Sequence, residues 1–240
     1  YTNNRNNFAL KDVSFKINSG EFITLCGKSG CGKTSLLRQL KTTLSPSGFR
    51  SGSIKYCGNE LEKTDSWVQA SEIGFVMQKA ESQIVTDKVW HEMAFGLESL
   101  GYDTDEIKLR VSEMASFFGL QSWFYKDTNT LSGGQKQLLS LASVMVLEPK
   151  ILILDEPTAG LDPAGRDKIL NRLKELREKK GIGIVLVSHS MEDVANYAER
   201  IIVMNKGQVM YDDAPHNVFK HYKKLEQIGL AAPQITYIMH

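Results

Sequence analysis

The chain has 240 residues, 42% hydrophobic and 24% charged, ordinary for a globular protein and enough for one large domain or two small ones. A formal net charge of +1 gives no electrostatic reason to invoke nucleic acid as the main partner. Three cysteines, Cys26, Cys31 and Cys57, are too few for a disulfide framework and lack companions at zinc spacing, and no apolar run reaches the roughly 18 residues of a membrane span.

In chain order, Val13, Phe15 and Ile17 alternate with polar residues, the pattern of a half-buried strand. Ser19-Gly20-Glu21 then turns the chain into Phe22-Ile23-Thr24-Leu25-Cys26, a buried strand. It feeds Gly27-Lys28-Ser29-Gly30-Cys31-Gly32-Lys33-Thr34, which fits G-x-x-x-x-G-K-[ST], and Ser35-Leu36-Leu37-Arg38-Gln39-Leu40 continues as a helix. Strand, glycine loop and helix is the context in which this pattern holds a nucleotide. The glycines permit a tight turn whose N–H groups converge on phosphate, and the helix adds its positive end. Lys33 would reach the β- and γ-phosphates and the Thr34 hydroxyl would enter a Mg²⁺ shell, so Gly27 through Ser35 form the candidate nucleotide-binding set.

Pro46, Gly48 and Gly52 mark a loop, Ser53-Ile54-Lys55-Tyr56 a short strand, and Gly58-Asn59 a turn. Ile73-Gly74-Phe75-Val76-Met77 is a further apolar strand ending at Gln78. Between 79 and 148 the periodicity turns helical. Val89, Met93 and Leu97 share one face, and Asp103-Thr104-Asp105-Glu106 opens a helix running through Val111 and Phe118. Trp90, Phe117, Phe118, Trp123 and Phe124 are expected in the core of this block, an inserted helical subdomain.

Leu131-Ser132-Gly133-Gly134-Gln135 precedes a helix expected over 136–147, a second helix start suited to an anion. Ile151-Leu152-Ile153-Leu154-Asp155-Glu156 sets two acids at the carboxyl end of a buried strand, where ligands sit in open α/β sheets. There Asp155 can hold Mg²⁺ through water and Glu156 can polarise an attacking water. A helix over 163–180, an apolar strand over 182–187, a capping box at Ser190-Met191-Glu192-Asp193 and a hairpin about Asn205-Lys206-Gly207 follow, then one helix over 218–228. Apolar strands alternating with helices indicate a mostly parallel, covered sheet.

The set GKSGCGKT, Gln78, LSGGQ, ILILDE, Thr158-Ala159-Gly160-Leu161-Asp162 and His189 resembles, in order and over essentially the whole chain, an ATP-binding-cassette ATPase subunit. The resemblance implies an α/β fold with a P-loop NTPase core, a mostly parallel sheet, an N-terminal antiparallel β portion and an inserted helical subdomain. Its divisions would be one ATP-binding domain over 1–240, the helical insertion over 79–148, and a C-terminal helical extension over 214–240. It also implies that two subunits close head to tail over two ATP molecules. Ser132, Gly133, Gly134 and Gln135 would contact the partner's ATP, and Asp162 would link the two sites. Thr34, Gln78 and Asp155 would hold Mg²⁺, Gln78 would also sense the lytic water, Glu156 would be the general base, and His189 would contact the γ-phosphate. Tyr1, about 32 residues before Lys33, is expected to stack on adenine, with Phe8 as the alternative.

Gln83-Ile84-Val85 with the stretch from Val89 to Leu97, Ser188 to Ala195, and Gly229-Leu230-Ala231-Ala232-Pro233-Gln234 are similar to the ATPases of energy-coupling-factor transporters, which import vitamins or transition-metal ions. That similarity implies a peripheral ATPase on the cytoplasmic face of the membrane. Its partners would be a second ABC ATPase (itself or a paralogue), a membrane coupling protein and a small substrate-binding membrane protein, with no nucleic acid. Residues 79–100 would form a groove for the partner's cytoplasmic helix, lined or supported by Gln83, Trp90 and Glu92. Two features depart from the pattern: Lys79-Ala80 stands where Asn-Pro is common, and the first half looks most like members with two fused ATPase domains. A soluble cassette ATPase of DNA repair or translation fits less well, because the chain carries neither a heptad stretch nor a second cassette with a charged linker. A non-hydrolytic nucleotide sensor is disfavoured by the presence of both Glu156 and His189.

Overall fold

A computed structural model describes residues 8–231 and Pro233. Its elements begin with β1 (Phe22–Gly27), α1 (Lys33–Gln39), β2 (Lys55–Tyr56), β3 (Asn59–Glu60), α2 (Ser66–Glu72), β4 (Ile73–Val76), α3 (Val89–Ser99), α4 (Thr104–Phe118) and α5 (Gly133–Met145). They continue with β5 (Ile151–Asp155), α6 (Pro163–Lys180), β6 (Gly183–Val187), α7 (Met191–Tyr197), β7 (Arg200–Asn205), β8 (Gln208–Asp213), α8 (Pro215–Phe219) and α9 (Tyr222–Gln227). Residues up to Asp65 with those from Gly183 onward make one compact unit, and residues 66–182 make a second.

In the first unit β1 pairs in parallel with β6, Phe22 opposite Ile184, and with β7, Ile23 opposite Arg200. Every residue of β1 is buried, so its sequence is a mostly apolar run, Thr24 included in the interior, rather than an alternating one. β8 adds antiparallel to β7 through the Lys206-Gly207 turn. The expected strand over Val13, Phe15 and Ile17 does not form. The alternation survives in burial, those three half-buried and Ser14 and Lys16 exposed, but among the described residues the segment joins no ladder. It is tied instead by Lys11 N–H donating to Gly207 O (2.8 Å) and by Arg200 Nη1 donating to Lys16 O (2.8 Å). The antiparallel hairpin of β2 and β3 supplies the N-terminal β portion. The single helix expected over 218–228 is two, because His221 leaves helical geometry and stacks on Tyr211 of β8 with centroids 4.8 Å apart.

In the second unit β4 and β5 pair in parallel, Val76 opposite Leu154, and α3 packs against α4 and α5. Asp103 caps α4 by accepting from the N–H groups of Asp105 and Glu106, and Gly119 ends it in the left-handed conformation. On α6 the stripe Ile169, Leu170, Leu173 and Leu176 is buried, while Arg177, Lys179 and Lys180 sit in the last turn where they oppose the helix dipole. Of the aromatics expected in the core, Phe118 and Trp123 are buried, and Phe117 lies beneath the Arg172 guanidinium. Trp90 is not core: it is 41% exposed, because Val89, Met93 and Leu97 take the buried face of α3. α2 was not expected from the sequence.

Candidate functional site

Where β1 becomes loop, a Cβ on Gly27 would collide with Cys31 Sγ and stand 2.5 Å from Met204 O, so glycine alone fits. Gly32 caps α1 with φ 107°, and a Cβ there would lie 2.7 Å from Ala9 O. The turn after β7 fastens this arrangement. Gly207 N–H donates to Cys31 O (2.9 Å), while Gly207 O accepts from Lys11 N–H. Lys33, buried, donates from Nζ to Gly27 O (2.8 Å) and Lys28 O (3.2 Å), with Cys31 Sγ 4.0 Å away. Its ammonium is thereby anchored over the loop by main-chain oxygens. Lys28, Ser29 and Gly30 are exposed, and Thr34 and Ser35 half-buried. His189, exposed just after β6, lines one cavity of about 530 Å³ together with residues 27–29.

In the second unit, parallel register explains a contact across 78 positions. With Val76 opposite Leu154, the residues two beyond are Gln78 and Glu156, and Gln78 Nε2 donates to Glu156 Oε2 at 2.8 Å. Glu156 has φ 52°, a left-handed backbone that non-glycine residues adopt at a cost of order 1–3 kcal/mol when the surroundings enforce it. Asp155, just before it, is 4% exposed.

Ser132 and Gln135 form a complete capping box, Ser132 Oγ accepting from Gln135 N–H (3.3 Å) and Gln135 Oε1 from Ser132 N–H (2.9 Å). The helix therefore starts at Gly133, earlier than expected. The space a Cβ would take is open at Gly133 and bordered only by Leu161 Cδ2 (3.6 Å) at Gly134. Asp162 caps α6 through Gly165 N–H (3.0 Å).

Two groove candidates have supporting contacts. Gln83 donates from Nε2 to Phe75 O (3.1 Å) and accepts from Met77 N–H (2.9 Å), and buried Glu92 accepts from Val85 N–H (3.0 Å) and Thr86 N–H (2.9 Å). The exposed apolar groups nearby in sequence are Val85, Trp90 and Phe95. Tyr1 lies outside the described residues; Phe8 is exposed. The donor set proposed for Mg²⁺, a hydroxyl, an amide and a carboxylate, consists of the hard oxygens that this ion prefers. Sequence reasoning missed the grip of Gly207 on the loop, for which the only signal was a turn, and the place of residues 229–231 on the cavity, for which the sequence held no local signal.

Comparison with known proteins places the chain in a family. Residues 10–159 match the ABC transporter family. An ABC transporter ATP-binding protein of Bacillus thuringiensis is 44% identical over 230 residues, which is 96% of this chain and 42% of that protein, so the chain spans less than half the length of that relative. The energy-coupling factor transporter ATP-binding protein EcfA2 of Clostridium tetani is 43% identical over 96% of this chain and 81% of its own length. The structure of cbiO1 from Clostridium perfringens, part of the ABC transporter complex cbiONQ, superposes with a TM-score of 0.82 at 32% identity, covering 100% of this chain and 95% of that one. A dimeric ATP-binding cassette in a post-hydrolysis state with ADP and Pi gives 0.79 at 26% identity over 90% of this chain and 94% of that one. No helix of the described residues is long and apolar enough to cross a membrane.

Proposed function

The chain belongs to the ABC transporter family, and from that premise we propose that it is the ATP-hydrolysing subunit of an energy-coupling-factor importer of a vitamin or a transition-metal ion. It would work as a head-to-tail pair with a copy of itself or a paralogue, on the cytoplasmic face of the membrane, beneath a coupling protein and a small substrate-binding protein. The observation that carries this reading is the similarity to EcfA2 proteins over 96% of the chain, in company with the Gln78–Glu156 contact.

On binding ATP, Lys33 would exchange the neutral carbonyls of Gly27 and Lys28 for β- and γ-phosphate oxygens, a charge-assisted and stronger pairing. Glu156 would take the proton of the water that attacks the γ-phosphorus, while the bond to the β-bridging oxygen breaks and ADP departs. Gln78, through its bond to Glu156 Oε2, orients that carboxylate. Thr34, Gln78 and Asp155 would hold Mg²⁺, which would supply positive charge against the phosphates. His189 would meet the γ-phosphate. In the capping box Ser132 Oγ acts as an acceptor, so its O–H proton remains to be given to the partner's ATP, beside the N–H groups of Gly133 and Gly134. Asp162 would connect the two sites. Residues 79–148 would be the helical subdomain that transmits closure, with Val85, Trp90 and Phe95 meeting the coupling protein and Gln83 and Glu92 holding their loop in shape.

The test is Glu156→Gln. Losing a general base lowers turnover by about 10²–10⁴-fold, so the variant should bind ATP, accumulate as an ATP-filled dimer on size-exclusion chromatography, and hardly hydrolyse it. Unchanged hydrolysis would remove Glu156 as the base.

A further inference from the structure

Residues 229–231 border the same cavity as residues 27–29, His189 and Glu192. They arrive there by a defined turn. After α9, Gly229 takes φ 83°, its N–H donates to Glu226 O (2.9 Å), and Leu230 N–H donates to Leu225 O (2.9 Å). These bonds close the helix and reverse the chain. Leu230, 5% exposed, is thereby driven into an apolar cluster with Cys26, Met191 and Val194. Cys26 is the residue immediately before the phosphate loop, and Met191 and Val194 belong to α7, which begins two residues after His189. Leu230 thus belongs to the same packed cluster as the residue before the loop and as the helix that follows the histidine. Gly229 itself stands behind Lys28, where a Cβ would lie 3.7 Å from Lys28 Cδ, an ordinary van der Waals contact.

We propose that residues 229–231 are a working wall of the phosphate site, and that Leu230 is a positioning residue that sets His189 relative to the phosphate loop. The proposal rests on the nucleotide reading given above. Packed interiors transmit displacement because they are as dense as molecular crystals. Removing Leu230 therefore lets α7 and β1 shift toward one another, and His189 moves with α7. Ala231, exposed at the rim, is the part of the wall that a bound nucleotide covers.

The experiment uses the full chain carrying Cys57→Ser, which removes the exposed thiol. Cys26 and Cys31 are buried, and burial pushes the Cys26 thiol up to about 12, far from reactivity. Into this parent Ala231→Cys is introduced, and maleimide labelling is followed with and without Mg-ATP, the parent alone giving the background. Labelling at 231 should slow at least about fivefold when ATP is bound. ATP binding, read independently with a fluorescent analogue, with no protection at 231 overturns the wall. Absence of ATP binding in the parent overturns the nucleotide reading, and the wall with it. In a second arm Leu230→Ala should lower kcat about tenfold while the nucleotide Kd changes less than about threefold, with Leu230→Met restoring kcat. Equal kcat in a folded Leu230→Ala protein overturns the positioning role; if that variant does not fold, protection at 231 still decides the wall.

Discussion

Gly207→Ala is a sharp test of how the phosphate loop is held. Gly207 has φ 79°, and a Cβ there would stand 2.7 Å from Ala9 O and 3.2 Å from Ala9 C, both main-chain atoms of the segment beside the loop. The left-handed backbone alone costs about 1–2 kcal/mol for alanine. The close approach adds a displacement that breaks the bonds of Gly207 to Cys31 O and to Lys11 N–H, each contributing about 1 kcal/mol. The expected loss is about 3–4 kcal/mol. Gly181→Ala is the control, since Gly181 has φ 65° with nothing within 4 Å of its Cβ position, so only the first term of about 1–2 kcal/mol applies. Urea denaturation of both variants measures the difference. Because Cys31 lies in the phosphate loop, Gly207→Ala should also weaken ATP binding about fivefold, the equivalent of about 1 kcal/mol, whereas Gly181→Ala should not. Equal destabilisation with equal ATP affinity would refute the clamp.

Lys33→Ala should abolish detectable ATP binding by equilibrium dialysis while leaving the fold intact, because the bonds it loses go to the Gly27 and Lys28 carbonyls where β1 passes into the loop. Ser132→Ala removes the cap of α5, costing about 1 kcal/mol in thermal or urea unfolding. It should lower turnover while leaving ATP binding to the single subunit unchanged. Stability should also fall in acid. Lys180 beside Glu148, and Lys179 with Arg172 beside Glu175, hold these carboxyls below their ordinary 4.5, and the Asn217 amide holds Asp213 below 3.8. Their contribution is therefore whole above those ordinary values and is lost as pH falls through the lower folded ones. Melting temperatures should drop below about pH 4.5, and Lys180→Met should flatten that limb; an unchanged limb would remove Glu148 from the account.

Much of this was legible in the chain because local signals agreed. α6 was readable to both ends, since Asp162 and Pro163 open it and Gly181 closes it. The phosphate loop was legible because its glycines are demanded by close approach, as at Gly27. What escaped depends on partners distant in sequence. Val13, Phe15 and Ile17 have a strand's alternation but, among the described residues, no neighbouring strand to bond, and periodicity cannot report a missing neighbour. The break at His221 falls where its ring stacks on Tyr211 of another element, without a proline or a glycine to mark it. Trp90 shares the composition of a core residue but sits one position off the buried stripe of α3. Gln78 and Glu156 were each identifiable, yet their hydrogen bond follows from the β4–β5 register, which no local pattern encodes.

The central claim is that this chain energises a membrane importer, and its most direct test is co-purification. The chain is tagged in its native cells, the membranes are solubilised gently, and the associated proteins are identified. The account predicts a multi-helix membrane protein, a cassette ATPase partner and a small membrane protein whose identity points to the substrate. Ribosomes or DNA-repair proteins, with nothing from the membrane, would contradict it.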